Sequence, residues 1–358
     1  MHVNARSNTI GGLNEGELQQ FHQHGWLKKS AVFDDDVLER LRQSIDSQLD
    51  AECRQLIAKG EMTAAAAHFG APFAARLGLI VDDLPYFSGA QTTILRSMQD
   101  LFLTGRVPHA DIDQEAGEIP VAETLLACIQ HEPLIDCIRS IIGDDILGSS
   151  TFRIRAKVPH WEPGDSLPYF PGEVPWHQDA GYALAHCDEY LTVTCWIPLV
   201  PATEANGCMW VYPYPFESGV LPHVYGRDDH YLWIKAEELP QSQPVAVPMA
   251  VGDVLFMTNM TPHASFVNQS ATTRWSMDLR YAAIGTPSNV DVDPTEYKNE
   301  VPLYKLACNP HEGDFIVRDS KNPHREVRDS KTFAETRLRW ATQRRRFGRG
   351  WSRDTASS

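Results

Sequence analysis

The run 273–281 alternates two chemistries with a period of two. Thr273, Trp275, Met277, Leu279 and Tyr281 fall on one side, and Arg274, Ser276, Asp278 and Arg280 on the other. That period belongs to a strand, whose successive side chains point to opposite faces. The apolar face requires a hydrophobic layer against it, and the charged face requires polar or ionic partners. Other segments repeat the theme. Phe152, Ile154, Ala156 and Val158 alternate with Arg153, Arg155 and Lys157. Segments 191–199, 208–212, 245–248, 254–257 and 266–268 are further short strand-like runs, several set off by Gly or Pro. Many short strands bracketed by helical segments predict an α+β protein with a β-sandwich centre.

The helical flanks carry their own signals. Asn14 is placed as an N-cap, with Glu17 at the capping-box position and Leu13 and Leu18 spaced for a hydrophobic staple. Segment 33–59 reads as a longer helix with Leu38, Leu41, Ile45 and Leu49 as its apolar stripe and Gly60 as its stop. In 61–117 an alanine run favours helix while Gly70, Pro72 and Pro85 interrupt, and no element is assigned. Segment 121–142 reads as helices ended by Gly143, and 161–175, rich in Pro and Gly, as a loop. Segment 331–347 is helix-compatible and basic through Arg337, Arg339 and Arg344 to Arg346. A solvated surface helix is its plain reading; docking on the acidic body or on a second subunit, which would make a homo-oligomer, is the alternative.

Composition removes several function classes. The 358 residues carry a formal net charge of −15, the wrong sign for a nucleic-acid partner. No apolar run reaches the length of a membrane span. The seven cysteines are scattered without a C-x-x-C, which speaks against a structural zinc site and for a reducing compartment. With a polar N-terminal stretch, a cytoplasmic location is the expectation.

The chemistry concentrates in His177-Gln178-Asp179, followed by His263 and then Arg274. On a strand and its exit, His177 and Asp179 point the same way while Gln178 faces elsewhere. Two histidines and a carboxylate can hold one face of a six-coordinate iron(II) ion and leave the other positions open. Gly252-Asp253 is a turn signal before the buried-strand pattern of 254–257, and Pro262 places His263 at or just before the start of the next strand. Arg274 with Ser276 beside it reads as a bidentate clamp for a carboxylate, the distal one of 2-oxoglutarate. The competing reading pairs Arg274 with Asp278 or Asp253. A zinc hydrolase can also use His, His and carboxylate, but gives Arg274 no task.

These residues, with Trp176 before His177 and the segment Asn206-Gly207-Cys208-Met209-Trp210-Val211, resemble the phytanoyl-CoA dioxygenase family over most of residues 13–285. The resemblance implies a double-stranded β-helix (jelly-roll, cupin-like) core with flanking N- and C-terminal helices. It implies one domain over 1–358: a helical part at 13–145, the jelly-roll core at about 146–285 and an extension with a basic helix at 286–358. It implies Fe(II), 2-oxoglutarate and O2, with His177, Asp179 and His263 as iron ligands. Arg274, eleven positions after His263, becomes the 2-oxoglutarate anchor. Trp196 matches a tryptophan beside the cosubstrate, Ser276 supports the clamp, and Lys157 resembles a lysine near the site.

The implied activity is hydroxylation of a small-molecule metabolite with decarboxylation of 2-oxoglutarate to succinate. Desaturation, epimerisation and cyclisation use the same centre and stay open, as does a silent jelly-roll binding protein. Halogenating relatives replace the carboxylate ligand by a small residue; Asp179 is present here. The chain departs from the family after Val211, where a Pro-Gly-Ser-His pattern is replaced, so substrate identity does not carry over. Arg153, Arg155 and Lys157 on an inward strand face would suit an anionic substrate. Tyr182, Trp210, Tyr212 and Trp233 are candidates for an apolar lining, and 220–235 for a lid. His186, His223 and His230 read as surface histidines.

Overall fold

The structure, a computed structural model, describes residues 12–100, 120–149, 151–159, 172–225, 232–287, 314–343 and 351–352. The N-terminal helices form as their sequence signals require. Helix α1 (Glu15–His24) opens on a complete capping box: Asn14 Oδ1 accepts from the Glu17 amide at 3.0 Å, and Glu17 Oε2 accepts from the Asn14 amide at 2.8 Å. It closes on Gly25, whose φ of +75° only glycine takes without strain. Helix α2 (Asp35–Ala58) buries Leu38, Leu41, Ile45 and Leu49 as one stripe.

The segment without an assignment contains two helices, α3 (Phe73–Asp83) and α4 (Gly89–Asp100). The prolines that look like interruptions are punctuation: Pro72 precedes the first residue of α3, and Pro85 lies in the link between the two helices. The buried Arg76 of α3 bonds Asp46 and Asp50 of α2 at 2.6 and 2.5 Å, tying the helices together. Helices α5 (Pro120–Ile129) and α6 (Glu132–Ile142) follow, the latter capped by Gly143.

The strands build two antiparallel sheets. In the larger one β1 (Trp26–Lys29), β10 (Val254–Thr258), β5 (Thr192–Pro198), β12 (Arg274–Ala283), β2 (Ile146–Gly148) and β13 (Phe315–Arg318) lie in that order, and β3 (Arg153–Lys157) also pairs with β12. The smaller sheet runs β4 (Val174–His177), β11 (His263–Ser265), β6 (Met209–Val211) and β9 (Val245–Val247). From β3 to β6 and again from β9 to β12 the chain switches sheet at every strand, the winding of a jelly roll. The first and last strands of the larger sheet come from the flanks: β1 pairs with β10, and β13 with β2.

The predicted alternation sorts the side chains. Val193, Cys195 and Ile197 of β5, Val254 and Phe256 of β10, Ile154 and Ala156 of β3, and Trp275, Met277, Leu279 and Tyr281 of β12 all join the helix-side core. Trp196, Leu255 and Met257 face the other way and pack with Met209, Val211 and Val247 of the smaller sheet. Arg274, Ser276, Asp278 and Arg280 share that inward face and are buried or nearly so. The expected strand at 266–268 does not form. The ladder shifts register between His263 and Ser265, and Asn268 makes a turn instead, donating to the carbonyls of Lys157 and Thr272 at 2.7 Å each.

The tail helix α7 (Ser330–Gln343) docks rather than floats. Buried Phe333 stacks on Phe152 at 5.3 Å and meets Phe315 edge-on at 5.2 Å. The side chains of Arg337 and Arg339, and residues 160–171, His230, Cys308 and Arg344 to Arg346 altogether, lie outside what the structure describes. The six described cysteines are all buried and free. No described helix is long and apolar enough to cross a membrane.

Candidate metal centre

His177 is the last residue of β4 and His263 the first of β11, and the two are direct cross-strand partners. That pairing brings their rings to 4.2 Å between centroids. Gln178 continues extended, and Asp179 opens a short 3₁₀ turn (Asp179–Tyr182) pinned by Ala180 N–H donating to Asn259 O at 2.9 Å. One ligand atom from each of His177, Asp179 and His263 lies within 4.8 Å of the others, the grouping that the H-x-D…H spacing predicted.

The second ring nitrogens show how the imidazoles are aimed. His177 Nδ1 faces Pro175 O at 2.8 Å, and His263 Nδ1 faces Thr261 O at 2.9 Å. A carbonyl has no proton to give, so Nδ1 carries the proton in both rings, and in a neutral ring Nε2 is then the nitrogen with the lone pair. Metal-bound histidines are held in the same manner. Burial, reinforced by the neighbouring His263, lowers the His177 pKa to about 3, so that ring stays neutral and able to ligate. Burial alone would raise the Asp179 carboxyl; the Arg280 guanidinium overrides it and, with the imidazoles, holds the acid ionised far below the usual carboxylate range. The residues therefore fit a divalent metal: two imidazole nitrogens and one anionic carboxylate oxygen, all within 4.8 Å of one another.

Arg274 is 2 % exposed and has no carboxylate partner among the described residues. Nη1 donates to Ser276 Oγ at 2.5 Å, Nη2 reaches Ser265 Oγ at 3.4 Å, and Nε has no acceptor. The Trp196 ring lies 5.3 Å from the guanidinium carbon. Burial, with Arg155 adding repulsion, brings the Arg274 pKa down to about 9. Both intramolecular alternatives are closed. Asp278 is held by Arg155 and Arg280 at 2.9 and 2.8 Å, and Asp253 accepts from the amides of Ala31 and Ala250 at 3.3 and 3.1 Å. Among the described residues no carboxylate therefore offsets the Arg274 charge, which its burial makes costly.

Lys157 sits opposite Arg274 in the ladder, buried, with its ammonium spent on three carbonyls: Gly172 at 3.0 Å, Ser265 at 2.9 Å and Phe266 at 2.6 Å. Burial first, and Arg274 second, hold its pKa well below the ordinary lysine value. Gly207 of the Asn-Gly motif passes over the Lys157 stem with φ +81°, where an added Cβ would lie 2.5 Å from Phe266 O. Arg153 and Arg155 do share the inward face with Lys157, and Arg155 is engaged by Asp278.

Sequence reasoning missed several partners. Thr194 and Arg280 both donate to Asp179. Gln178 faces away from the centre, as expected, but braces it: its amide donates to Gly219 O and Met260 O, and its carbonyl accepts from the Leu221 amide. His223, expected at the surface, is 2 % exposed; Nε2 accepts from the Gln178 amide at 3.0 Å, directly against Gly181. Trp351 closes over that ring and donates to Gly181 O at 2.8 Å. Tyr182 meets His177 edge-on at 5.9 Å, and Tyr212 packs on Trp176 at 4.6 Å. The proposed lid holds a hairpin, β7 (Val224–Tyr225) with β8 (Leu232–Trp233), whose following residue Ile234 bonds back to Trp176 O.

The phytanoyl-CoA dioxygenase (PhyH) family signature matches residues 21–276. No curated protein sequence matches the chain. Among solved structures, the non-heme monooxygenase ThoJ overlaps with a TM-score of 0.48 at 17 % identity, covering 91 % of this chain and 98 % of that one. The epimerase SnoN, in complex with Fe3+, α-ketoglutarate and nogalamycin RO, gives 0.44 at 16 %, covering 81 % and 92 %. EvdO2 from Micromonospora carbonacea var. aurantiaca, complexed with 2-oxoglutarate, gives 0.42 at 17 %, covering 82 % and 100 %.

Proposed function

Since the chain belongs to the phytanoyl-CoA dioxygenase family, we propose that it is a non-haem Fe(II)/2-oxoglutarate-dependent oxygenase that hydroxylates a small-molecule metabolite. The observation that carries this reading is the pairing of two half-sites: a His177–Asp179–His263 cluster with both Nδ1 atoms turned to backbone carbonyls, and a buried Arg274 with no carboxylate partner among the described residues. Iron(II) with 2-oxoglutarate and O2 supplies the oxidising chemistry, one oxygen atom going to the substrate C–H bond and the other to succinate as CO2 leaves.

The chain's own residues then have separate tasks. His177 and His263 offer Nε2, fixed by their Nδ1–H bonds to backbone. Asp179 offers carboxylate oxygen. Arg274 and Ser276 take the far carboxylate of 2-oxoglutarate, and Trp196 walls the guanidinium. Lys157 acts one step back: by gathering the carbonyls of Ser265 and Phe266 it holds the strand that presents His263 and Ser265. Tyr182, edge-on to His177, supports an organic substrate beside the ligand cluster, and Arg153, on the same strand face as Arg155 and Lys157, supports an anionic group on it.

The test is 2-oxoglutarate-dependent succinate release by the iron-loaded protein across a panel of carboxylated and phosphorylated metabolites. Succinate formation that needs Fe(II) and is lost in His177→Ala is the expected outcome. Undiminished turnover in His177→Ala removes the ligand assignment.

A further inference from the structure

The residue most extensively bonded to Asp179 is an arginine on another strand. Arg280 Nε donates to Asp179 Oδ2 at 3.1 Å and Nη2 to Oδ1 at 3.0 Å, a two-pronged grip, and Thr194 Oγ1 donates to Oδ2 at 2.6 Å. A carboxylate oxygen accepts about two hydrogen bonds through its lone pairs. Oδ2 is therefore filled, while Oδ1 has one direction left. We infer that Arg280 is a positioning residue whose fork, together with the Thr194 hydroxyl, turns Asp179 so that a single acceptor direction, on Oδ1, stays open to a metal ion. This rests on the reading of Asp179 as a metal ligand.

The arrangement is built to resist rotation. Arg280 and Thr194 are direct cross-strand partners on β12 and β5, so two adjacent strands of the larger sheet deliver both donors to one carboxylate. The guanidinium is itself pinned: Nη1 donates to Thr151 O at 2.5 Å and to Asp278 Oδ1 at 2.8 Å. Asp278 in turn is fixed by Arg155 through Oδ2 at 2.9 Å. Arg280 also lies on the same face of the same strand as Arg274, so β12 alone sets both the aim of the metal-facing carboxylate and the anion-binding guanidinium. A fork matters here because a planar guanidinium fixes the plane of its carboxylate, whereas an ammonium of equal charge does not.

The charge-conserving variant Arg280→Lys separates aim from electrostatics, since repulsion of the incoming dication is unchanged. The probe is Mn(II), titrated calorimetrically into the chelator-stripped full-length protein, with the melting temperature of each metal-free protein recorded beside it. Wild type binding Mn(II) and Arg280→Lys binding about 10- to 100-fold more weakly, the range for groups that orient metal ligands, is the expected result. Thr194→Val should shift in the same direction by less. Arg280→Lys that melts lower yet binds Mn(II) as tightly as wild type overturns the inference and leaves Asp179 as a ligand. A wild type that binds no Mn(II) overturns both. If Arg280→Lys does not fold, Thr194→Val decides: unchanged affinity there overturns the inference.

Discussion

Replacing Arg274 by methionine should stabilise the ligand-free protein and destroy its affinity for 2-oxoglutarate. The two effects share one cause. The guanidinium is 2 % exposed, faces two serine hydroxyls and no carboxylate, and leaves Nε unbonded. Its pKa falls from 12.5 to about 9, which at about 1.4 kcal/mol per tenfold change in proton affinity corresponds to an order of 5 kcal/mol against the buried charge. Methionine fills much of the same volume without the charge, and such replacements gain about 1–4 kcal/mol where a buried ion is poorly compensated. The melting temperature of the metal-free protein should therefore rise by several degrees. Cosubstrate binding moves the other way. Truncating one partner of a buried hydrogen-bonded charge pair costs about 2–5 kcal/mol, or roughly a 30- to 4,000-fold weaker Kd. Thermal melts of Arg274→Met and wild type, each with and without Mn(II) and 2-oxoglutarate, read both quantities in one experiment. A variant that melts lower than wild type and keeps its 2-oxoglutarate-induced shift would mean that Arg274 is neither a buried uncompensated charge nor the cosubstrate anchor.

Two further outcomes follow from the same geometry. Lys157→Met removes the donor shared by three carbonyls and leaves buried acceptors open, so it should lose about 1–3 kcal/mol of stability; a melt within a degree of wild type would contradict this. The metal-free protein should also weaken in acid through His177. Its ring takes a proton near 6.5 in the unfolded chain but only at about 3 in the fold, so between these values the unfolded state holds more protons and stability rises with pH. Acidification through that window should cost up to about 1.4 kcal/mol per pH unit from this group, and His177→Gln should show a shallower decline; parallel curves for the two proteins would remove the attribution.

Much of the site was readable because its signals are local. The face alternation of β12 follows from a period of two, which places Arg274 and Ser276 together without knowledge of their neighbours. The spacing of His177 and Asp179 needs only a strand and its exit, and the Asn14–Glu17 capping box spans a single turn. What escaped depends on long-range pairing. Arg280 and Asp179 are 101 residues apart, and nothing near either one names the other. His223 looks like a loop histidine until the Gln178 amide and Gly181 are packed against it. Helices α3 and α4 were hidden because Pro72 and Pro85 mark their boundaries and can equally mark loops. The missing strand at 266–268 has an apolar start, but Lys157 and Asn268 draw its backbone into a turn.

If the His177–Asp179–His263 cluster binds Fe(II) and Arg274 anchors 2-oxoglutarate, metal and cosubstrate together must give a signature that neither gives alone. Anaerobic addition of Fe(II) and then 2-oxoglutarate, followed by visible absorption, tests it most directly. The expected result is a weak metal-to-ligand charge-transfer band that appears only with both components, is absent in His177→Ala, and needs far more 2-oxoglutarate in Arg274→Met. Iron binding without any band in the wild type would contradict it.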